Sequence, residues 1–490
     1  MTEAAWQKGS DLLTRIAAFA KDARHWNQHT FGNIHQRKEK LLQGIERLEQ
    51  RMNGDAENWR LTKLRAELEE VLLQEEILWC HKSNMEWNTS GDRNTKYFHA
   101  RVMRRRRRNQ ISSLRNSNEE WTDDPDELKG TTRDFYVALY TDDGVAMITI
   151  LHGFPTLPTT DWKNLDKNFS IDVLHEAIRA MGPFKAPGVD GLNPLFYQRF
   201  WSLVGPDVLN FAASCWSDPS KIHILNQATL VLIPKVMSPS LIQHFRPISI
   251  CNVGYKLITK CLAYRIKPLM PKLVHETQTS FVPGRHITDN VCILQEVVHS
   301  MRAKMGRTGW MIFKIDLAKA YDRIRWSFVR DTLQAARAPI SFVDLAMECI
   351  TTSRMRIQWN GGLTDEFTPT RVLRQGCPLS PYLFTLCMER LGHLIHEAVT
   401  HDQWQPIQQS QSGPDLSHIF FADDIILFGV ASIAQVSVIN KTVEDFGAAS
   451  GQQISKPKSR VSFPKMLPLP WWPRSAPVWT SPRPKILGAT

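Results

Sequence analysis

Apolar residues first recur at helical spacing near the N-terminus. Leu41, Ile45, Leu48 and Met52 follow one another in steps of four, three and four, which is one face of a helix. Asn53-Gly54-Asp55 interrupts the pattern, and Leu61, Leu64, Leu68 and Val71 resume it. Two helices folded back as a hairpin are predicted. Each run is too short for sustained heptads, so packing explains the apolar face better than a coiled-coil partner. Turn-rich stretches follow at Asp123-Asp124-Pro125-Asp126 and from Gly153 to Asp161. From about Ile171 to Phe463 short apolar strands alternate with helices, a mixed α/β body without internal repeats. Within it, Trp310 to Ile315 reads as a strand that delivers Asp316 at its end, and Lys319 to Ala336 has helical periodicity through Ile324, Phe328 and Leu333. His418–Phe421 and Ile425–Phe428 read as two strands flanking a tight turn with adjacent aspartates, Asp423 and Asp424. The end of the chain differs. Prolines 464, 468, 470, 473, 477, 482 and 484, with Trp471, Trp472 and Trp479 among them, exclude helix and central strand and predict an extended or disordered tail.

At 490 residues the chain exceeds what one core usually organises, so two or three domains are expected. Hydrophobic residues at 42% and charged residues at 22% exclude a chain disordered throughout. The formal charge of +11 favours a polyanionic partner, nucleic acid first and an anionic membrane surface second. No apolar run approaches the roughly 20 residues of a membrane span. Lys8, Asp11, Arg15 and Lys21 interrupt the N-terminal apolar stretch, so no secretory signal is visible. None of the 8 cysteines forms a Cys-x-x-Cys pair, which excludes a zinc finger or a disulfide scaffold and predicts mostly buried free thiols. The densest charge run is Arg104, Arg105, Arg106, Arg107 and Arg108, with Arg101 and Tyr97-Phe98-His99 just before it. Nucleic-acid contact, a solvated face and a nuclear-import signal all suit such a run.

The aspartates carry the sharper signal. A carboxylate on the last residue of a strand is held rigidly at the opening above a sheet. An ordinary hairpin turn would use Asn-Gly or Asp-Gly, whereas Asp423-Asp424 repels itself unless a cation is near. Taken alone, the pair also suits a surface hairpin with two solvated aspartates. Three carboxylates from two strand ends can bind two Mg²⁺ ions about 4 Å apart, the arrangement that clamps attacking and leaving oxygens in phosphoryl transfer. Oxygen-only ligands suit Mg²⁺ and disfavour zinc. A glycosidase needs two carboxylates and no basic surface.

These residues match a family. Phe421-Ala422-Asp423-Asp424 resembles the Tyr/Phe-x-Asp-Asp palm motif of reverse transcriptases, and Asp316-Leu317-Ala318-Lys319-Ala320-Tyr321-Asp322 resembles their first aspartate motif. The span from Lys185-Ala186-Pro187-Gly188-Val189-Asp190-Gly191 to Ser450-Gly451-Gln452 resembles plant non-LTR (LINE-type) retrotransposon polymerases, with the motifs in the family's order. Gly91 to His99 and the arginine run resemble the segment that precedes that polymerase. The resemblance implies an α+β fold, a right-hand polymerase palm and fingers with a ferredoxin-like palm sheet, over residues 171–463. A helical basic N-terminal extension would occupy residues 1–150, and residues 464–490 would be a divergent, disordered Pro/Trp-rich tail.

It also implies roles. Asp316, Asp423 and Asp424 would hold two Mg²⁺ ions, with Mn²⁺ an acceptable substitute. Gln375 and Gly376, in Gln375-Gly376-Cys377-Pro378-Leu379-Ser380-Pro381, would line the nucleotide pocket, and Ser380-Pro381 also reads as an N-cap and first helical residue. Tyr321 would exclude a ribose 2′-hydroxyl. Lys235 and Arg246 would neutralise the triphosphate, although alone each suits a solvated surface charge. Arg285, in Gln278-Thr279-Ser280-Phe281-Val282-Pro283-Gly284-Arg285, would contact phosphate or template, and Lys458 would protonate the leaving pyrophosphate. Arg104 to Arg108 would bind nucleic acid. The expected partners are an RNA template, a DNA primer and dNTPs, without a membrane; the expected location is intracellular and nuclear.

Family members carry an endonuclease before this region and a primer grip and thumb after the palm. The chain reads as a truncated copy lacking both. Two function classes remain at this point: an RNA-directed DNA polymerase, and a catalytically silent nucleic-acid-binding remnant. A splicing maturase is a distant third.

Overall fold

The computed structural model describes residues 2–50, 55–83, 95–116, 118–144, 153–303, 309–410 and 413–462. The proline-rich tail, the Asn53-Gly54 turn and Gly91 to Asn94 lie outside these residues.

The N-terminal residues fold into the main core. Asp11 caps the helix Leu12–Trp26: its carboxylate accepts from the Leu13 and Thr14 amides, and the Thr14 hydroxyl accepts the Asp11 amide in return. The helix buries Leu12, Ile16 and Phe19, and Phe19 lies 4.4 Å from the ring of Phe196. Trp6 is fully buried, and its indole N–H donates to Asp207, which also pairs with Arg15 at 2.6 Å. The next two helices, Ile34–Glu49 and Asp55–Ser83, form the expected hairpin, tied by Lys38 to Glu75 and Arg65 to Glu49, both at 2.8 Å. The helix Thr95–Asn109 packs against the second of them and carries the arginine run.

Among the described residues two four-stranded sheets organise the rest. In chain order their strands are β1 (Gln227–Pro234), β2 (Phe245–Cys251), β3 (Trp310–Asp316), β4 (Arg354–Trp359), β5 (Gly362–Leu363), β6 (His418–Phe421), β7 (Asp424–Val430) and β8 (Arg460–Ser462). The first sheet has the order β2-β1-β4-β5 and alternates buried with less buried positions along β1 and β2. One face of it packs against Leu128, Tyr136, Leu139 and Tyr140, from the helix Pro125–Leu139 and the residue after it. The second sheet has the order β8-β3-β7-β6 and is antiparallel throughout. Its central strand β3 is apolar on both faces, as a strand covered on both sides must be. The helices Ser380–Thr400 and Ile433–Ser450 bury their apolar faces in the same core as Met311, Phe313 and Ile315.

Two local readings need correction. The helical run expected from Lys319 to Ala336 is two helices, Ala320–Arg323 and Trp326–Ala335. Lys319 stands in the left-handed region, Ile324 and Arg325 are extended, and the Arg325 amide donates to Ser450 instead of to a helical carbonyl. Ser380 is the first residue of its helix rather than the cap, and Pro381 is the second; Leu379 takes the cap position, and the Ser380 hydroxyl is buried without a partner. Of the cysteines described, six are buried and free, and Cys292 is exposed.

Candidate active site

The site starts from register. β3 and β7 pair so that Asp316 stands directly opposite Asp424. β6 and β7 are joined by the two residues Ala422 and Asp423, with Phe421 opposite Asp424. Ala422 has φ +54, a left-handed conformation in which glycine is usual. Three carboxylates thus meet at one end of the sheet. Like charges directly across a strand pair are destabilising, and Asp423, in the turn beside the facing pair, feels both of them. Partial desolvation raises its pKa first, and repulsion by Asp424 and Asp316 raises it further, although Asp423 reaches solvent. Among the described residues no three His, Cys, Asp or Glu groups close into a ready-made metal cage. Mg²⁺ sites in phosphoryl-transfer enzymes are completed by water and substrate phosphates, so an open set of repelling oxygens fits such an ion.

Cations face the acids. The loop after the helix Ile433–Ser450 is lashed to β3: Ser455 donates to the Asp316 carbonyl, and the Ser459 hydroxyl accepts the Asp316 amide at 3.1 Å. This brings the Lys458 ammonium to 3.6 Å from the Asp316 carboxylate. From the first sheet, Arg246 of β2 acts on Asp423, and Lys235, just past β1, is pushed down by partial burial and by Lys458 and Arg246. Lys458 thus faces Asp316 directly, while Arg246 lies near enough for its charge to act on Asp423, and Lys235 near enough to feel Asp322 and Asp316.

Gln375 and Gly376 lie against β2, the strand of Arg246, and Tyr321 is near enough to Asp423 for that charge to act on its hydroxyl. The Gln375 carbonyl accepts the amide of Ser249 in β2 at 2.8 Å, and Leu373 donates to the Tyr321 carbonyl at 2.8 Å. Gly376 has φ +116, and a Cβ there would stand 2.6 Å from the Ser249 carbonyl oxygen, so only glycine fits. Arg374 beside them is fully buried over the Tyr255 ring and donates to Asn226 and to the Cys349 carbonyl. Tyr321 stacks on Phe384 at 4.2 Å, which fixes its ring, and burial raises its hydroxyl pKa.

Behind the opening lies a buried block that sequence reasoning left without a role. Asp322 is buried, and burial pushes its carboxyl up to about 6. The Tyr140 hydroxyl reaches it at 3.5 Å. Burial pushes Lys319 down to about 8; its ammonium donates to the Phe245 carbonyl and lies over the Phe135 and Tyr136 rings. Arg325 gathers Asp142 at 2.9 Å, Asp143 at 2.6 Å and the Ala448 and Ala449 carbonyls at a helix end. Arg371 donates to the Leu139 carbonyl and stands 3.5 Å from Asp143.

The arginines expected to meet nucleic acid have other surroundings. The Arg285 guanidinium donates to the carbonyls of Pro271, Val274, His275 and Gln278, so it binds its own loop. Arg104, Arg105, Arg106, Arg107 and Arg108 are exposed along their helix, and none is among the principal charges on Asp423 or Lys235.

Comparison with known proteins follows the same residues. Residues 233–490 match the family model described as reverse transcriptase (RNA-dependent DNA polymerase). A Xenopus laevis protein described as the transposon TX1 uncharacterized 149 kDa protein is 29% identical over 385 residues, 77% of this chain and 28% of its own length. The retrovirus-related Pol polyprotein from type-2 retrotransposable element R2DM of Drosophila melanogaster is 29% identical over 276 residues, 56% of this chain and 24% of its own. An uncharacterized mitochondrial protein of Arabidopsis thaliana is 46% identical over 65 residues, 13% of this chain and 53% of its own. The chain spans about a quarter of the length of the first two relatives.

Proposed function

The chain belongs to the reverse transcriptase (RNA-dependent DNA polymerase) family, and from that premise we propose that it extends a DNA primer on an RNA template as the polymerase of a non-LTR retroelement. The observation that carries the reading is the gathering of Asp316, Asp423 and Asp424 at one sheet end, opposite Lys235, Arg246 and Lys458. Such an arrangement costs stability, which fits oxygens reserved for divalent cations. Asp316, Asp423 and Asp424 would hold two such ions, Mg²⁺ by the hardness of the ligands, which would supply activation of a primer 3′-hydroxyl and charge neutralisation at the phosphates.

The remaining steps belong to the protein. Lys235 and Arg246 neutralise the triphosphate of an incoming dNTP. Gly376, without a side chain, lets the nucleotide approach the backbone beside Gln375. The ring of Tyr321, fixed by its stack on Phe384, supplies the bulk that would exclude a ribose 2′-hydroxyl and so select dNTPs over rNTPs. Lys458 balances Asp316 before the nucleotide arrives and then gives its proton to departing pyrophosphate. The arginines from Arg104 to Arg108 hold nucleic acid phosphates along an exposed helix. A plant source and a nuclear site of action accompany this reading.

Extension of a DNA primer on an RNA template with dNTPs and Mg²⁺ tests it, beside the Asp423→Ala, Asp424→Ala double variant. Incorporation by the parent chain, lost in the variant, is expected. No incorporation by a folded chain that still binds RNA would replace this reading with the silent nucleic-acid-binding one.

A further inference from the structure

Gln278 itself has no task in the polymerase reading. It lies far from the acids in sequence and against them in space. Its side chain is fully buried. Its Oε1 accepts the Ser280 amide at 2.9 Å and the Ala422 amide at 3.2 Å. Two N–H donors fix which end of the side-chain amide is oxygen. Ala422 is the left-handed residue of the turn that carries Asp423 and leads into Asp424.

The backbone around Gln278 is held with equal care. Residues 277–279 run beside β6, with the Phe420 amide donating to Thr277 and the Thr279 amide donating to Phe420. Asn290, itself buried, donates to the Phe420 carbonyl at 2.8 Å. Arg285 donates to the Gln278 carbonyl at 2.8 Å as part of its grip on the loop. A non-glycine residue at positive φ persists only where its surroundings over-determine it. Here they do so through one buried oxygen.

We propose that Gln278 is a positioning residue for the metal-binding aspartates: its Oε1 holds the Ala422 amide and thereby fixes the turn that aims Asp423 and Asp424. The proposal rests on the polymerase reading for the purpose of the turn, and on geometry alone for the hold itself. Loss of the oxygen leaves two buried N–H groups unpaired, and the turn relaxes toward a conformation alanine prefers.

The test uses Gln278→Met, which keeps length and removes the acceptor, and Gln278→Glu, which keeps an oxygen on both amides. Ile419→Val, a small cavity in β6, serves as a matched loss of packing. Mn²⁺ binding is read by electron paramagnetic resonance, and dNTP incorporation by single-turnover extension. Gln278→Met is expected to weaken Mn²⁺ binding and slow incorporation by about 10–100-fold, with the KM for dNTP unchanged. Gln278→Glu is expected to lose less, and Ile419→Val to leave Mn²⁺ affinity untouched at a similar thermal midpoint. Unchanged Mn²⁺ affinity in Gln278→Met, or an equal loss in Ile419→Val, would overturn the proposal. If Gln278→Met does not fold, weaker Mn²⁺ binding by Gln278→Glu than by the parent with no gain over Asp423→Ala overturns it, and near-parental binding supports it. A parent chain that binds Mn²⁺ but incorporates nothing defeats the polymerase reading and leaves this comparison intact.

Discussion

Asp316 and Asp322 lie six positions apart, yet their surroundings are opposites. Asp316 ends a strand, faces Asp424 across the ladder, reaches solvent and has only Lys458 near its carboxylate as a cation within 4 Å among the described residues. Asp322 lies within the short helix Ala320–Arg323, in a block closed by Tyr140, Lys319 and the aromatic rings beneath it. Around that block, Arg325 and Arg371 tie residues 139–143 to the segment that follows the first aspartate. Charge at the open end is left partly uncompensated by the protein, whereas Asp322 in the buried block has its charge disfavoured by burial and is balanced only in part by Lys319 and Lys235. The difference separates function from stability: changes at the open end should remove chemistry and spare the fold, while changes in the block should do the reverse.

Asp316→Asn should have the largest effect, lowering incorporation by about three orders of magnitude while the thermal midpoint holds or rises. Single-turnover extension and a melting scan on one preparation check both halves. Arg325→Ala is the converse. It strands Asp142 and the carbonyls at a helix end, leaves Asp143 only Arg371, and should cost about 3 kcal/mol in denaturant unfolding, with activity per folded molecule kept. Replacing Arg104 to Arg108 with Gln should touch neither region: RNA affinity falls about tenfold, and the slope of log affinity against log salt drops by up to about 4. Filter binding across a salt series reads it.

The smallest effect concerns pH. Asp322 titrates at about 6 in the fold and at its ordinary lower value when unfolded, so folding takes up a proton between them. Stability from this group is therefore full below about pH 4 and is lost as pH rises through about 6. Asp190, also pushed up to about 6 by burial, acts in the same direction. Asp322→Asn should flatten part of the decline in thermal midpoint between these pH values; an unchanged profile would count against the closed block.

The strands that carry the acids were legible because β-branched and aromatic runs ending in Asp leave few alternatives. The gathering of those acids was legible only through the family's motif order, since spacing alone does not bring Asp316 opposite Asp424. The break between Arg323 and Trp326 was not legible. Periodicity continues across it, and the Arg325 amide turns to Ser450, a residue more than a hundred positions away. Nor does amphipathicity say what an apolar face packs against. Trp6 and Phe19 enter the main core, and Tyr136 and Tyr140 lie beneath the first sheet, although all four precede the polymerase motifs. Gln278 escaped because a single buried polar side chain leaves no pattern.

The most direct measurement is Asp424→Asn, read for incorporation and thermal midpoint together. Removing one of two facing carboxylates should abolish incorporation and leave the midpoint equal or higher, because the repulsion across the ladder is relieved. A variant that keeps extending primers, or that loses stability in step with activity, would contradict the account that this sheet end is held open for chemistry.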